Sequence, residues 1–363
     1  MQDTMIASPV FDPAVHLKYE EPSYKISMEE MGLKDAGAPS HIGVTAPFQL
    51  CSPEGVLAMR QDIFQPKVIQ KHLVYSALAG PHCQLRGMAP TAAKFVYDFW
   101  HSKEVLDAIS KAAGCELVPV FDYELGHVNI QVPKGKTREE FVSQLKVDPF
   151  GNQVERPLTP PAEEPKMAGG NQHAQSEEEE EEPPLVVGWH RDAYPWVCVL
   201  MLSDVANMKG GETAIKKGDG SCLKAIGPQI GSAVMMQGGY IPHAAMPCYG
   251  SAERITMVTS FRPKAPLYRD ISNLDNIRTC SNWFDLYDQW VQSRLTLAQE
   301  KIAHYSRELS ERRKAQEEQR PGSLLTKPTV DLDEFDEMRN DLNDLFERAR
   351  VAMKPYSDPS RVF

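Results

Sequence analysis

In His190-Arg191-Asp192 an imidazole and a carboxylate stand two residues apart, in a run that reads as a strand. Side chains at i and i+2 of a strand point to one face, so both groups can meet a single ion without backbone distortion. A third ligand must come from elsewhere in the fold. His243, in Tyr240-Ile241-Pro242-His243, is the natural source, 51 residues beyond Asp192. Two imidazoles and one carboxylate on one face of an octahedron suit non-haem iron(II), with three positions left open. His127 is a rival ligand, but nothing downstream completes a set of three around it.

Arg254 follows His243 by 11 residues, and Thr256 follows at i+2. A guanidinium and a hydroxyl on one strand face suit a buried carboxylate, which arginine binds bidentately without losing its charge. The competing reading is a structural ion pair with a neighbour such as Glu253. Arg254, Thr256, Val258, Ser260 and Arg262 share one face of this strand, and Ile255, Met257 and Phe261 share the other. A polar inner face is odd for a plain core and normal for a pocket. Tyr123, Asn129 and Gln131 lie on an earlier predicted strand, as cosubstrate contacts or as core and edge packing. Tyr194 and Trp196 follow Asp192 at even spacing and are candidates to line the pocket, although Pro195 can introduce a bulge there. Arg262 is a candidate for holding an acidic substrate, or it ends the strand in a surface ion pair. Gln237 is similarly open.

The stretch from Trp189 to Arg262 resembles the iron(II)/2-oxoglutarate-dependent dioxygenase superfamily. The resemblance rests on HRD, on GGET at Gly210 to Thr213, on GSAVMMQGGYIPHAA, and on ERITMVTSFRP. The GGET turn and the G-S-A-V strand resemble the prolyl-hydroxylase-like branch, where a lysine often binds the cosubstrate; here the residue is Arg254. The resemblance implies a double-stranded β-helix, a jelly-roll barrel of eight strands in two sheets. It implies iron(II) on His190, Asp192 and His243. It implies 2-oxoglutarate chelating the iron through its C1 carboxylate and keto oxygen, with its C5 carboxylate on Arg254 and Thr256. Tyr123 and Asn129 are the further cosubstrate candidates, and Arg262, Tyr194 and Trp196 the substrate candidates. Dioxygen would take the remaining position, and turnover would release succinate and CO₂.

The elements that must position these groups read as an α+β chain. Residues 1–114 are an extended and helical region expected to pack on the core. Prolines punctuate residues 1–45, which read as segments able to wrap a core. Helices are predicted over PEGVLAMRQDIF, over KVIQKHLVYSALA, and from Ala89 to Phe99. SKEVLDAISKAAG follows with Ser102 as N-cap and Gly114 as stop. Residues 115–270 are the expected β-helix core, with short strands and glycine turns in place of βαβ units. Residues 186–204 form one long apolar run. Residues 157–184 are rich in proline and glutamate and lack large apolar groups, so they are expected to be a disordered acidic insertion. Residues 271–363 are expected to be helical: a long helix through NWFDLYDQWVQSRLTLAQEK, stopped by Pro321 and Gly322, then a last helix over DLDEFDEMRNDLNDLFERARVAM. This tail would brace the sheet or form a homodimer contact.

The bulk numbers exclude more than they assign. The net charge of −11 owes over half its size to Glu177–Glu182, and no strongly basic face for nucleic acid is apparent. Seven cysteines without C-x-x-C spacing argue against a disulfide framework or zinc knuckle and for buried thiols in a reducing compartment. No apolar run is long enough for a spanning helix, and residues 1–23 lack the features of a signal peptide, so a cytoplasmic location is the default. The expected function is oxidation of an unactivated C–H bond of a small molecule, an amino acid or secondary-metabolite intermediate. A protein hydroxylase or demethylase is the alternative, its acidic insertion docking a basic peptide. A barrel that has lost its iron chemistry, or a cupin-type protein holding zinc or manganese, is the third.

Overall fold

The computed structural model describes residues 7–132, 135–149, 166–169, 185–249, 253–319 and 328–354. The strands of the first half are β1 (Lys25–Ser27), β2 (Ile42–Thr45), β3 (Phe48–Gln49), β4 (Leu73–Val74), β5 (Cys83–Leu85), β6 (Leu117–Pro119), β7 (His127–Gln131) and β8 (Lys166–Gly169). Those of the second are β9 (Val187–His190), β10 (Trp196–Met201), β11 (Lys209–Gly210), β12 (Thr213–Lys216), β13 (Cys222–Ile226), β14 (Ser232–Met236), β15 (His243–Ala245), β16 (Cys248–Tyr249) and β17 (Arg254–Pro263). The helices are α1 (Pro13–His16), α2 (Pro53–Ile63), α3 (Pro66–His72), α4 (Lys94–His101), α5 (Lys103–Ala113), α6 (Arg138–Val142), α7 (Trp283–Gln319) and α8 (Leu332–Ala352).

Two antiparallel sheets face each other. The larger runs β1-β2-β14-β10-β17-β7-β5-β4, with β3 on β14 and β6 on β17. The smaller runs β8-β13-β12-β15-β9, and β11 pairs with β16. Val44, Val197, Val234, Met236 and Val258 of the larger sheet pack on Ile215 and Ala225 of the smaller, which closes one end of the space between them. The outer face of the larger sheet carries Ile255, Met257 and Phe261, packed among Val56, Met59, Phe95, Trp100 and Ile109 of the N-terminal helices. The alternation read along Arg254–Pro263 thus divides a helix-covered core from the interior between the sheets. The larger sheet also draws on both sides of residue 114, since β1 to β5 lie in it with β7, β10, β14 and β17.

Local signals explain several boundaries. Ser52 and Ser102 cap α2 and α5 by accepting from Gly55 N (2.9 Å) and Val105 N (3.2 Å). Gly114 ends α5 in the left-handed conformation, as expected from the sequence. The helix expected from Ala89 begins only at Lys94, because the amides of Thr91, Ala92 and Ala93 all return to Met88 O in a tight turn. The helix expected through residue 79 stops at His72, and Leu73–Val74 leave it to pair with β5.

The sheets add detail to two other stretches. The apolar run 186–204 is two strands in different sheets, β9 and β10, split by the turn that carries Asp192. Within the expected disordered insertion, Lys166–Gly169 forms β8 against β13; the rest of 157–184, like Pro321 and Gly322, lies outside the described residues.

The C-terminal helices brace the fold. On α7 the buried positions Leu286, Trp290, Arg294, Leu297 and Lys301 recur at helical spacing. Trp290 donates from Nε1 to Ala349 O of α8 (3.1 Å), and Arg294 forms a buried ion pair with Asp270. Among the described residues no helix is long and apolar enough to cross a membrane.

Candidate metal centre

His190 is the last residue of β9 and His243 the first of β15, and the two are direct partners across these strands. That pairing sets the imidazoles side by side, with ring centroids 4.3 Å apart. Asp192 lies just beyond β9, where its N–H donates to Gly238 O (2.9 Å). Its carboxylate comes to 3.4 Å from His190 Nε2 and 3.3 Å from His243 Nε2. One ligand atom from each of the three residues lies within 4.8 Å of the others. The expected convergence is therefore present, although Asp192 reaches it from a turn and not from the strand.

The hydrogen bonds fix which atoms face the centre. His190 Nδ1 contacts Gly188 O (2.7 Å) and His243 Nδ1 contacts Ile241 O (2.9 Å). A carbonyl can only accept, so Nδ1 carries the proton in each ring and Nε2 offers its lone pair inward. Asp192 Oδ2 is buried and has no hydrogen-bond donor. Burial opposes the charge on Asp192, but His243 and His190 overcome that and hold its carboxyl far below the usual range. Burial likewise opposes charge on His243, and Asp192 more than offsets it, raising that imidazole. Two imidazole Nε2 atoms and a carboxylate whose Oδ2 is orphaned in the interior fit a divalent metal ion of the iron(II) type, which would take the place of the proton that Asp192 favours on His243.

Sequence reasoning missed the residue that shapes this corner. A Cβ on Gly238 would lie 1.9 Å from Asp192 Oδ2, so only glycine lets the carboxylate settle there. The signal in the chain was the Gln237-Gly238-Gly239 run before Tyr240. A Cβ on Gly239 would likewise crowd the backbone, at 2.6 Å from Tyr194 O.

Arg254 lines the same cavity, with Thr256, Val258 and Ser260 following on its strand face. The residue is 2% exposed. Nε donates to Gly211 O (3.1 Å), in the turn that precedes β12, and Nη1 is buried without a partner. Glu253, the neighbour weighed as its ion-pair partner, instead binds Arg60 at 2.6 Å. Burial lowers the Arg254 guanidinium to about 10, and the nearby Cys248 and Glu212 only partly offset it. Among the described residues no carboxylate bonds this guanidinium directly; a buried cation so placed is costly, and a ligand carboxylate would relieve that cost.

The remaining candidates divide. Asn129 lines the cavity and accepts from Gln84 Nε2 (2.6 Å). Tyr194 lines it too, its hydroxyl buried and unpartnered. Tyr123 lies outside it: its hydroxyl accepts from Asn282 N (2.9 Å), anchoring the start of α7. Trp196 also lies outside, in the helix-covered core, because β10 starts at this residue and turns Val197 and Val199 inward instead. Arg262 binds Glu300 of α7 (2.9 Å) and does not reach the cavity. Gln131 bridges to both backbone groups of Cys248, and Gln237 donates to Ser40 O and Ile42 O. His127 lines the cavity, and burial beside Arg86 holds its imidazole down to about 3.

No family model and no curated protein matches the chain. Solved structures similar to it include a Pseudomonas putida prolyl-4-hydroxylase, at 13% identity over 59% of this chain and 88% of that one, with a TM-score of 0.33. An oxidoreductase of the 2OG-Fe(II) oxygenase family from Burkholderia pseudomallei shows 13% identity over 52% and 62%, with a TM-score of 0.28. The non-haem α-ketoglutarate-dependent epimerase SnoN from nogalamycin biosynthesis shows 10% identity over 58% and 74%, with a TM-score of 0.35.

Proposed function

We propose that this chain is an iron(II)- and 2-oxoglutarate-dependent oxygenase that oxidises a C–H bond of a small molecule. The observation that carries the reading is the pairing, in one cavity, of the His190, Asp192 and His243 donor set with the buried Arg254, whose Nη1 has no partner among the described residues. We read the facing sheets as a double-stranded β-helix with the centre at its mouth.

His190, Asp192 and His243 would hold the iron. Arg254 would take the distal carboxylate of 2-oxoglutarate, with Thr256 two residues on along β17 and Asn129 opposite Thr256 on β7. When bound, iron, 2-oxoglutarate and dioxygen together supply the oxidising equivalent and release succinate and CO₂. The protein orients and excludes water. The Nδ1 bonds of both histidines keep their Nε2 lone pairs inward, and Gly238 leaves room for the carboxylate. The ligand side chains are only 14%, 17% and 8% exposed, in the order 190, 192, 243. A centre so withdrawn favours a small substrate over a folded protein surface.

Anaerobic addition of iron(II) and then 2-oxoglutarate is the test. The wild type is expected to develop a visible charge-transfer band that His190→Ala lacks. A wild type that binds iron but gives no band with 2-oxoglutarate would overturn the reading.

A further inference from the structure

The cavity has a second polar region that the metal and cosubstrate leave unused. Arg86 and Glu124 form an ion pair there, with Arg86 Nη2 donating to both carboxylate oxygens (2.6 and 2.8 Å). The two side chains are 3% and 1% exposed. Arg86 and Tyr194 line the same cavity, and Arg86 Nε and the Tyr194 hydroxyl are buried without a hydrogen-bond partner among the described residues. A buried ion pair seldom stabilises a fold more than apolar residues of the same volume, and unpaired buried donors cost stability. The fold gains little from this arrangement, whereas a ligand acceptor in the cavity would relieve the cost of unpaired donors.

The region lies away from Arg254. On the sheet, Gln84 pairs with Asn129 and His127 with Val258, whereas Arg254 pairs with Gln131. Arg86, two residues beyond Gln84 along β5's course, is therefore offset from Arg254 by four residues, roughly 13 Å along the strands. It is also two strands across, since β7 separates β5 from β17. Asp192 is close enough to Glu124 and His127 to act on both electrostatically, so the region adjoins the metal centre. Cosubstrate and substrate can then approach the centre from different sides.

Charge and wall chemistry narrow the occupant. Arg86 and Glu124 cancel, and both Glu124 oxygens are already engaged. An anion would meet Glu124, and a cation would meet Arg86. The rest of the lining mixes polar Ser76, Gln84 and Asn276 with apolar Leu78, Val197 and Ile277, so the apolar surface is discontinuous.

We propose that Arg86, held by Glu124, and the Tyr194 hydroxyl form the substrate subsite, and that it takes the carbonyl or hydroxyl oxygen of a neutral molecule. This rests on the oxygenase reading above and narrows its substrate class. Arg86 Nε–H and Tyr194 O–H are its donors, and the apolar part of the lining meets the carbon skeleton.

The test uses three probes of one shape: cyclohexanone, cyclohexanecarboxylate and cyclohexylammonium. Each is added to full-length protein loaded with manganese(II) and 2-oxoglutarate, and proton relaxation of the probe by the metal is measured. Cyclohexanone is expected to bind at least about tenfold more tightly than either ion. Tyr194→Phe is expected to weaken cyclohexanone about fivefold or more, by loss of one donor. The double variant Arg86→Met/Glu124→Leu, which leaves no lone buried charge, is expected to abolish the preference for the ketone. Equal binding of the three probes by the wild type, or an unchanged ranking in the double variant, would overturn the subsite. Failure of manganese(II) or 2-oxoglutarate to bind, measured first by calorimetry, would instead strike the oxygenase reading.

Discussion

Gly238→Ala is the perturbation whose consequence follows most directly from the geometry. The added Cβ would lie 1.9 Å from Asp192 Oδ2, 2.9 Å from its Cγ and 3.0 Å from Val197 Cγ2. Ordinary contact begins near 3.4 Å, so the carboxylate oxygen must retreat by about 1.5 Å. It cannot do so by a simple backbone shift, because Asp192 N is tied to Gly238 O at 2.9 Å. Functional groups at such a site must stay within about 0.5 Å of their working positions. Metal affinity is therefore expected to fall at least about 100-fold, or about 2.7 kcal/mol. Overpacking against Val197 is expected to cost about 1–3 kcal/mol more in folding stability. Anaerobic iron(II) titration by calorimetry reads the first quantity and urea unfolding the second. Gly188→Ala is the control, since its Cβ meets nothing closer than 3.8 Å. Iron affinity in Gly238→Ala within about threefold of the wild type would refute the reasoning.

Three further outcomes follow from burial and charge. The folded His127 imidazole is held at about 3, below its value in an unfolded chain. As pH falls below about 6.5 the unfolded chain takes up a proton that the folded one does not, so stability drops by up to about 1.4 kcal/mol per pH unit. His127→Leu should show a shallower loss in urea unfolding between about pH 6.5 and pH 4; an unchanged slope would count against it. Trp290→Ala removes a fully buried ring and its bond to α8, and is expected to lower unfolding stability by about 3–5 kcal/mol, with α8 becoming an early site of proteolysis. Asp270→Ala leaves Arg294 charged and buried and is expected to cost about 3–5 kcal/mol, whereas Asp270→Leu/Arg294→Met should recover most of that in the same denaturation assay.

The metal donor set was legible because its spacing is short and its residue types are unusual together. The i, i+2 rule needed only His190 and Asp192, and the strand alternation after Arg254 needed only local periodicity. What was hidden depended on partners far along the chain. Glu253, the neighbour of Arg254 in sequence, is held instead by Arg60, 193 residues earlier. Tyr194 and Trp196 have the same parity, yet Pro195 and the start of β10 separate them, one to the cavity and one to the core. Arg86 and Glu124 carry no motif at all; only the pairing of β5 with β7 brings them to the site. Residues 1–45 read as wrapping segments because β1 and β2 are too short, at three and four residues, to show a period. Beyond its place in a glycine pair, Gly238 carries no signal of its role in sequence, since its need for an absent side chain is visible only beside Asp192.

The central claim is that the metal centre and Arg254 are two ends of one site for a diacid. Calorimetric titration of the anaerobic iron(II) protein with 2-oxoglutarate and with 2-oxopentanoate, which lacks the distal carboxylate, tests it most directly. The wild type is expected to prefer 2-oxoglutarate by about 2–5 kcal/mol, the scale of a buried charge pair, and Arg254→Gln to lose most of that preference while still binding iron. Equal affinity for the two acids in the wild type, or an undiminished preference in Arg254→Gln, would contradict it.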